Sequence, residues 1–202
     1  MFDWIYAHRG IWRNASEHNS LESVKKADSL GFAIETDVRI IDDRIIIGHD
    51  PYRNTCADIF EEIVGFGCKF AFNLKCDGML PELLSYKNQI LRSGSFVFDG
   101  SIPEMLKFRN SCVPYALRLS EFERELPRES DIVWVDGFYS DWYIDNFYIR
   151  SLMQSKLIVI VSPEIHKREK GNVWDWVLRE RDSGNTNLNI CTDYPVELAD
   201  MN

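Results

Sequence analysis

Short runs rich in β-branched and aromatic residues recur from one end of this 202-residue chain to the other, with helix-like or turn-rich stretches between them. That alternation is what a parallel sheet wound with outer helices requires, and it argues against bundles and sandwiches. Eight candidate strands cover 4–8, 33–38, 69–75, 96–99, 115–119, 132–138, 157–161 and 188–193, and a further run at 44–49 lies between the second and third. Asn19 is placed to cap a helix whose apolar positions are Leu21, Val24, Ala27 and Leu30, with Gly31 as its stop. A second helix is expected from Asn172 to Gly184.

Side chains alternate sides along a strand, so parity shows what each strand turns inward. In the second candidate strand Ile34, Thr36 and Val38 share the face toward the helices, leaving Ala33, Glu35 and Asp37 inward. In the third, Phe70, Phe72 and Leu74 oppose Lys69, Ala71, Asn73 and Lys75. Later strands follow suit: Phe96 and Phe98 oppose Asp99, Leu117 and Leu119 oppose Arg118, Val133 and Val135 oppose Asp136, and Leu188 and Ile190 oppose Asp193. Polar groups at successive C-terminal strand ends are where an eight-stranded α/β barrel carries its chemistry. The expected fold is a compact (β/α)8 barrel, one domain over residues 1–202.

Composition narrows the function. Twenty-three Lys and Arg against 32 Asp and Glu give a net charge of −9, so no broad phosphate-neutralising surface is expected and nucleic acid is not the expected partner. No apolar run approaches the roughly 20 residues that span a bilayer, no basic amphipathic surface points to stable membrane association, and no secretion signal is visible. Five cysteines without a Cys-x-x-Cys pair read as reduced, buried thiols of a cytoplasmic protein.

The densest chemistry lies between positions 8 and 50: His8-Arg9-Gly10, Glu35-Thr36-Asp37 and His49-Asp50-Pro51. A Glu-x-Asp pair on one strand sets two carboxylates on one face roughly 7 Å apart, a spacing at which both can share a hard oxygen-seeking cation. Lys75 or Arg118 could neutralise the pair instead. Two imidazoles, His8 and His49, flanking the carboxylates are what acid–base phosphoryl chemistry needs.

These residues also carry a resemblance. Tyr6-Ala7-His8-Arg9-Gly10, His18-Asn19-Ser20-Leu21-Glu22, Ile34-Glu35-x-Asp37-Val38 and Gly48-His49-Asp50-Pro51 are, in order and spacing, similar to the glycerophosphodiester phosphodiesterase family. Agreement is weaker at Phe72-Asn73-Leu74-Lys75 and at Thr192-Asp193-Tyr194-Pro195, and 78–186 align only through strand parity. The resemblance implies a TIM barrel of the phospholipase C-like phosphodiesterase type that hydrolyses a small soluble phosphodiester with one divalent cation, Mg2+ or Ca2+. It implies His8 and His49 as general acid and base, Arg9 and Lys75 on the phosphate, and Glu35 and Asp37 on the metal.

Three departures qualify that reading, one being His18-Asn19-Ser20 where the family usually has Glu-Asn-Ser/Thr, a swap expected to affect that loop more than the chemistry. The family's third metal-binding glutamate is Asn73 here, which offers one oxygen without charge and should hold a cation more loosely. Only 19 residues lie between Asp50 and Phe70, too few for the capping subdomain of many members, so an open mouth is expected. A barrel that binds a phosphodiester or phosphosaccharide without turnover, or a phospholipase-like lyase that forms a cyclic phosphate, are the alternatives.

Elsewhere, Arg118 is either a second phosphate anchor or a partner of Asp136 or Asp99. The aromatic stretch from Trp134 to Tyr148 reads mainly as packing, with Trp142 a candidate to stack on a sugar or choline group. His18 and His166 are expected at the surface, and residues 167–170 in a solvated loop.

Overall fold

The computed structural model describes residues 2–125 and 130–202. Among the described residues are nine strands: β1 Phe2–His8, β2 Phe32–Ile41, β3 Arg44–Ile47, β4 Phe70–Leu74, β5 Phe96–Phe98, β6 Ala116–Leu119, β7 Ile132–Val135, β8 Leu157–Val161 and β9 Leu188–Thr192. The α-helices of the described residues are α1 Leu21–Ser29, α2 Phe60–Ile63, α3 Leu80–Leu84, α4 Lys87–Ser93, α5 Ile102–Phe108, α6 Phe147–Met153, α7 Gly171–Asp182 and α8 Pro195–Asp200.

Eight of the strands are parallel neighbours in the order β5-β4-β2-β1-β9-β8-β7-β6. A bridge from Val97 to Tyr115 joins the two ends and brings the sheet close to a closed barrel. The expected run at 44–49 becomes β3, which folds back on β2 as an antiparallel hairpin with Val38 opposite Ile47. Asp42 and Asp43 make its two-residue turn at φ +51° and +58°, the left-handed pair that matches strand twist.

Two apolar layers hold the barrel. Between strands and helices, Ile5, Ile34, Phe72, Leu119, Ile160 and Ile190 meet Val24, Met105, Ile149 and Val177, all buried. Complete burial of such a side chain stabilises by about 1.5–3 kcal/mol. Inside the barrel, Ala33, Ala71 and Ala116 leave room for Tyr6, Phe96, Phe98 and Trp134. Large against small fills the narrow interior; Phe98 and Trp134 stack with centroids 3.9 Å apart.

Parity is corrected in one strand. Phe96 and Phe98 face the interior, not the helices. Asp99 still turns back into the mouth because its backbone is left-handed at φ +70°, which breaks the alternation one residue after the strand ends. The sixth candidate strand is also shorter, ending at Val135 with Asp136 and Gly137 already in the loop.

The first helix starts one residue later than expected. Ser20 caps it, accepting from the Ser23 amide at 3.1 Å, while Asn19 sits at φ +58° and turns its amide into the barrel mouth. A buried carboxylate beneath it outbids the helix end for that amide, and the neighbouring serine suffices as a cap. Of the five thiols, only Cys191 is buried; Cys112 is exposed and the others are intermediate. No helix among the described residues is long and apolar enough to cross a membrane.

Candidate active site

Seven of the eight parallel strands deliver a polar group at or just after their C-terminal end, β8 turning only Val159 and Val161 inward, and the richest stretch runs from β4 through β2 and β1 to β9. β2 brings Glu35 and Asp37, both fully buried. β4 brings Asn73 directly opposite Asp37 in the pairing register, and Lys75 follows. β1 ends in His8, opposite Glu35.

The chain leaves β1 through a left-handed pair, Arg9 at φ +60° and Gly10 at φ +85°. A Cβ at position 10 would come within 2.7 Å of the Ser23 backbone carbon, so only glycine lets this turn lie against α1. The turn points the Arg9 amide at Glu35, donating to its backbone oxygen at 2.9 Å and to Oε2 at 3.3 Å.

Asp37 is the most heavily braced group. Arg9 Nε lies 2.9 Å from one oxygen and Lys75 Nζ 3.2 Å from the other, and Asn19 donates to Oδ2 at 2.9 Å. Asn19 also accepts from the Asp37 amide at 3.2 Å and from the Thr36 hydroxyl at 2.8 Å. Burial alone would raise the Asp37 pKa; Lys75, Arg9 and Asn19 outweigh it and hold the carboxyl below its ordinary value. Glu35 goes the other way, raised by burial and by the Asp37 charge, with His8, Lys75 and Arg9 only partly offsetting them.

His8 is held through one nitrogen and faces a carboxylate with the other. Nδ1 lies 2.6 Å from Asp193 Oδ1, and Nε2 lies 3.8 Å from Glu35 Oε2. Burial pulls the ring's pKa down, but the Asp193 hydrogen bond and the charges of Glu35 and Asp193 outweigh it and leave the pKa raised. Trp12 Nε1 donates to the His8 carbonyl at 2.9 Å and closes one side.

The hairpin places His49 on the rim. The Gly48 amide donates to the Asp37 carbonyl at 2.9 Å, and the buried Arg39 donates to the Gly48 and His49 carbonyls at 3.2 and 2.8 Å. The His49 ring itself is half-exposed, 2.9 Å from the equally exposed Asp50.

A metal would find oxygen donors here. Asn73 donates its amide to Glu35 at 3.2 Å, which leaves its buried Oδ1 without a hydrogen-bond partner. Two carboxylates and this orphaned oxygen fit a hard divalent cation in kind. Among the described residues, no three His, Cys, Asp or Glu side chains gather closely enough to hold one by themselves, so Asn73 would be the necessary third donor.

Across the mouth, Arg118 is held by carboxylates, 2.9 Å from Asp99 and 2.5 Å from Glu123. Burial raises the Asp99 pKa against the pull of Arg118 and Lys75. His166 is partly buried rather than freely exposed: its Nε2 lies 2.5 Å from Asp136 Oδ1. His18 is half-buried against Trp12 and Arg9, and burial with the Arg9 charge lowers its pKa. Residues 167–170 are not simply solvated, since Arg168 donates to the Gly137 carbonyl at 2.6 Å and Lys170 lies over the Trp174 and Tyr194 rings. Trp142 is partly buried with its indole nitrogen on the Asp136 carbonyl at 2.8 Å, a packing role.

The bracing role of Asn19 and the place of His166 beside Asp136 are what sequence reasoning missed. Asn19 lies inside the quoted motif and satisfied a helix-cap pattern, which masked its other use. Nothing near position 166 marks it, because its partner lies 30 residues earlier, just past the end of β7.

No family model matches the chain, and no curated protein matches it. Among solved structures, one from Galdieria sulphuraria assigned as a glycerophosphodiester phosphodiesterase superposes with a TM-score of 0.70 at 16% identity, covering 98% of this chain and 96% of that one. A glycerophosphoryl diester phosphodiesterase from Parabacteroides distasonis gives a TM-score of 0.46 at 13% identity over 97% of this chain and 84% of its own, too loose a likeness to carry an argument. The barrel described above is thus the fold of a structure assigned to the glycerophosphodiester phosphodiesterases, with its strands and helices matched over nearly the whole chain.

Proposed function

We propose that this protein hydrolyses a small phosphodiester, such as a glycerophosphodiester, by acid–base catalysis at the C-terminal mouth of its barrel. The observation that carries the reading is the setting of His8, oriented by Asp193 at 2.6 Å and facing Glu35, beside Arg9 and Lys75. An oriented imidazole next to paired cations is the equipment for a diester, which gains negative charge on its phosphoryl oxygens as a nucleophile enters.

In this reading His8 takes the proton of the attacking water through Nε2. Arg9 and Lys75 exchange part of their hold on Asp37 for the phosphate. One divalent cation, Mg2+ or Ca2+, would be held by Glu35, Asp37 and Asn73, and when bound it would neutralise charge on the phosphoryl oxygens. A second imidazole of the mouth returns a proton to the departing alcohol; the resemblance assigns that part to His49.

The test is alcohol release from a panel of glycerophosphodiesters with Mg2+ or Ca2+. His8→Ala should lower the rate by about 10²-fold or more. A wild-type rate in that variant overturns the assignment.

A non-catalytic barrel is the second reading, favoured by one observation: both oxygens of Asp37 already face protein cations. Calorimetry with glycerophosphodiesters would support it if they bind and no product forms at any Mg2+ or Ca2+ concentration.

A further inference from the structure

Glu35, Asp37 and Arg39 share one face of β2, and the last of them is a buried cation that belongs neither to the metal donors nor to the cations beside the phosphate. Arg39 is only 9% exposed. The Asp37 charge two residues away is already met by Arg9 and Lys75. Arg39 turns its guanidinium to backbone carbonyls instead: Nε donates to Gly48 at 3.2 Å, and Nη2 donates to His49 at 2.8 Å and to Lys75 at 3.4 Å. Burying a guanidinium is costly, and an apolar side chain of similar volume often serves stability as well or better. What the charge adds is direction, through hydrogen bonds stronger than neutral ones.

The Gly48 and His49 carbonyls belong to the peptides on either side of the His49 Cα, so the guanidinium fixes the direction in which that imidazole leaves the backbone. The ring has little else to hold it. Its Nδ1 faces only Asp50, 59% exposed, and an exposed pair of that kind restrains a side chain weakly. The backbone around His49 is pinned from two more sides. The Gly48 amide donates to the Asp37 carbonyl at 2.9 Å, and Cys56 Sγ donates to the Asp50 carbonyl at 3.3 Å, packed so close that a Cβ on Gly48 would overlap it. Lys75 depends on Arg39 less, because its own amide keeps a bond of 2.9 Å to the Val38 carbonyl.

We infer that Arg39 is the positioning residue of the rim imidazole, holding His49 where it protonates the departing alcohol, an inference that rests on the phosphodiesterase reading. Water attacks phosphorus and gives a proton to Nε2 of His8. The bond from phosphorus to the leaving oxygen breaks with its electron pair on that oxygen, which takes a proton from Nε2 of His49, the nitrogen that Asp50 leaves free. A phosphomonoester and an alcohol result; His8 returns its proton to solvent and His49 regains one. Arg39 exchanges no proton and acts by keeping the donor nitrogen in one place.

The experiment compares two substrates on each protein sample: a glycerophosphodiester with an alkyl leaving group, and a p-nitrophenyl phosphodiester whose aryl oxygen departs without protonation. Arg39→Met is expected to lower kcat on the alkyl substrate by about 10-fold or more while the aryl rate changes by less than about threefold. Arg39→Lys, which keeps a donor for one of the carbonyls, should recover part of that loss, and it carries the same comparison should Arg39→Met fail to fold. In a His49→Ala background, itself about 10²-fold slower on the alkyl substrate, Arg39→Met should add less than about twofold, since no imidazole is left to position. Because both rates come from one sample, a reduced folded fraction scales them together and cancels in the ratio. No loss in the Arg39 variants, equal losses on both substrates, or losses that multiply in full in the double variant overturn this inference alone. A wild type inert toward both substrates, a His8→Ala variant as active as wild type, or a His49→Ala variant without selective loss on the alkyl substrate overturns the reading of the site and this inference with it.

Discussion

His8 Nδ1 and Asp193 Oδ1 lie 2.6 Å apart although 185 residues separate them in the chain. Adjacency of β1 and β9, the first and last strands, makes the contact, so closing the ring also assembles the oriented imidazole. Replacing the acid by its amide keeps the shape and removes the charge. Asp193→Asn should reduce kcat by about 10²–10⁴-fold. It should also move the acid limb of the kcat/KM profile to lower pH, because the carboxylate is what raises the His8 pKa. Steady-state kinetics across pH checks both.

The same pair gives stability a sign. The folded pKa of His8 is raised, so its contribution is fully present below the unfolded imidazole value of about 6.5 and is lost as pH climbs through the folded value. The melting-temperature advantage of wild type over His8→Gln should therefore be larger near about pH 5.5 than near about pH 9. Thermal melts of the two proteins at both pH values test it; an advantage that grows with pH contradicts the sign.

Asn73 faces Glu35 and leaves one buried oxygen unused. In metal-free buffer Asn73→Glu should destabilise by about 1–3 kcal/mol, since it adds a charge beside a carboxyl already strained by burial and by Asp37. Added Ca2+ or Mg2+ should restore the loss and bind more tightly than in wild type by calorimetry. Equal affinities in the two proteins would remove Asn73 from the metal site.

Asn19 braces Asp37 and Thr36 through one amide held in a left-handed backbone. Asn19→Ala should cost about 2–4 kcal/mol in urea unfolding, from buried groups left without partners and from the φ it cannot easily adopt. Asn19→Gly, free of the second penalty, should recover about 1 kcal/mol of that.

Gly10 lies at φ +85° with no space for a Cβ against Ser23. Gly10→Ala should destabilise by about 2 kcal/mol or more and lower activity, because relief requires the Arg9 turn to move off Asp37. A wild-type unfolding midpoint would show that this turn yields freely.

Periodicity made the barrel legible. Candidate strands at 33–38, 157–161 and 188–193 lie within or within one residue of β2, β8 and β9, because alternating and continuous apolar runs are local consequences of burial on one or both faces. Parity placed Glu35, Asp37, Asn73, Arg118, Asp136 and Asp193 at one end for the same reason. It failed at Phe96 and Phe98, where a single left-handed residue, Asp99, resets the alternation and no local pattern announces it.

What the sequence by itself determined is the order of strands and which side chains each one turns inward, since both follow from the two-residue repeat of an extended chain and the hydrophobic drive to bury one face. Only the tertiary structure decided the partners: Asp193 on His8, Lys75 and Arg9 on Asp37, Asn19 drawn from a helix end to a buried carboxylate, and Asp136 on His166. Those pairings join strands that are neighbours in the ring but distant in the chain, and the requirement that buried charge be neutralised acts on distance in space, which no linear spacing encodes.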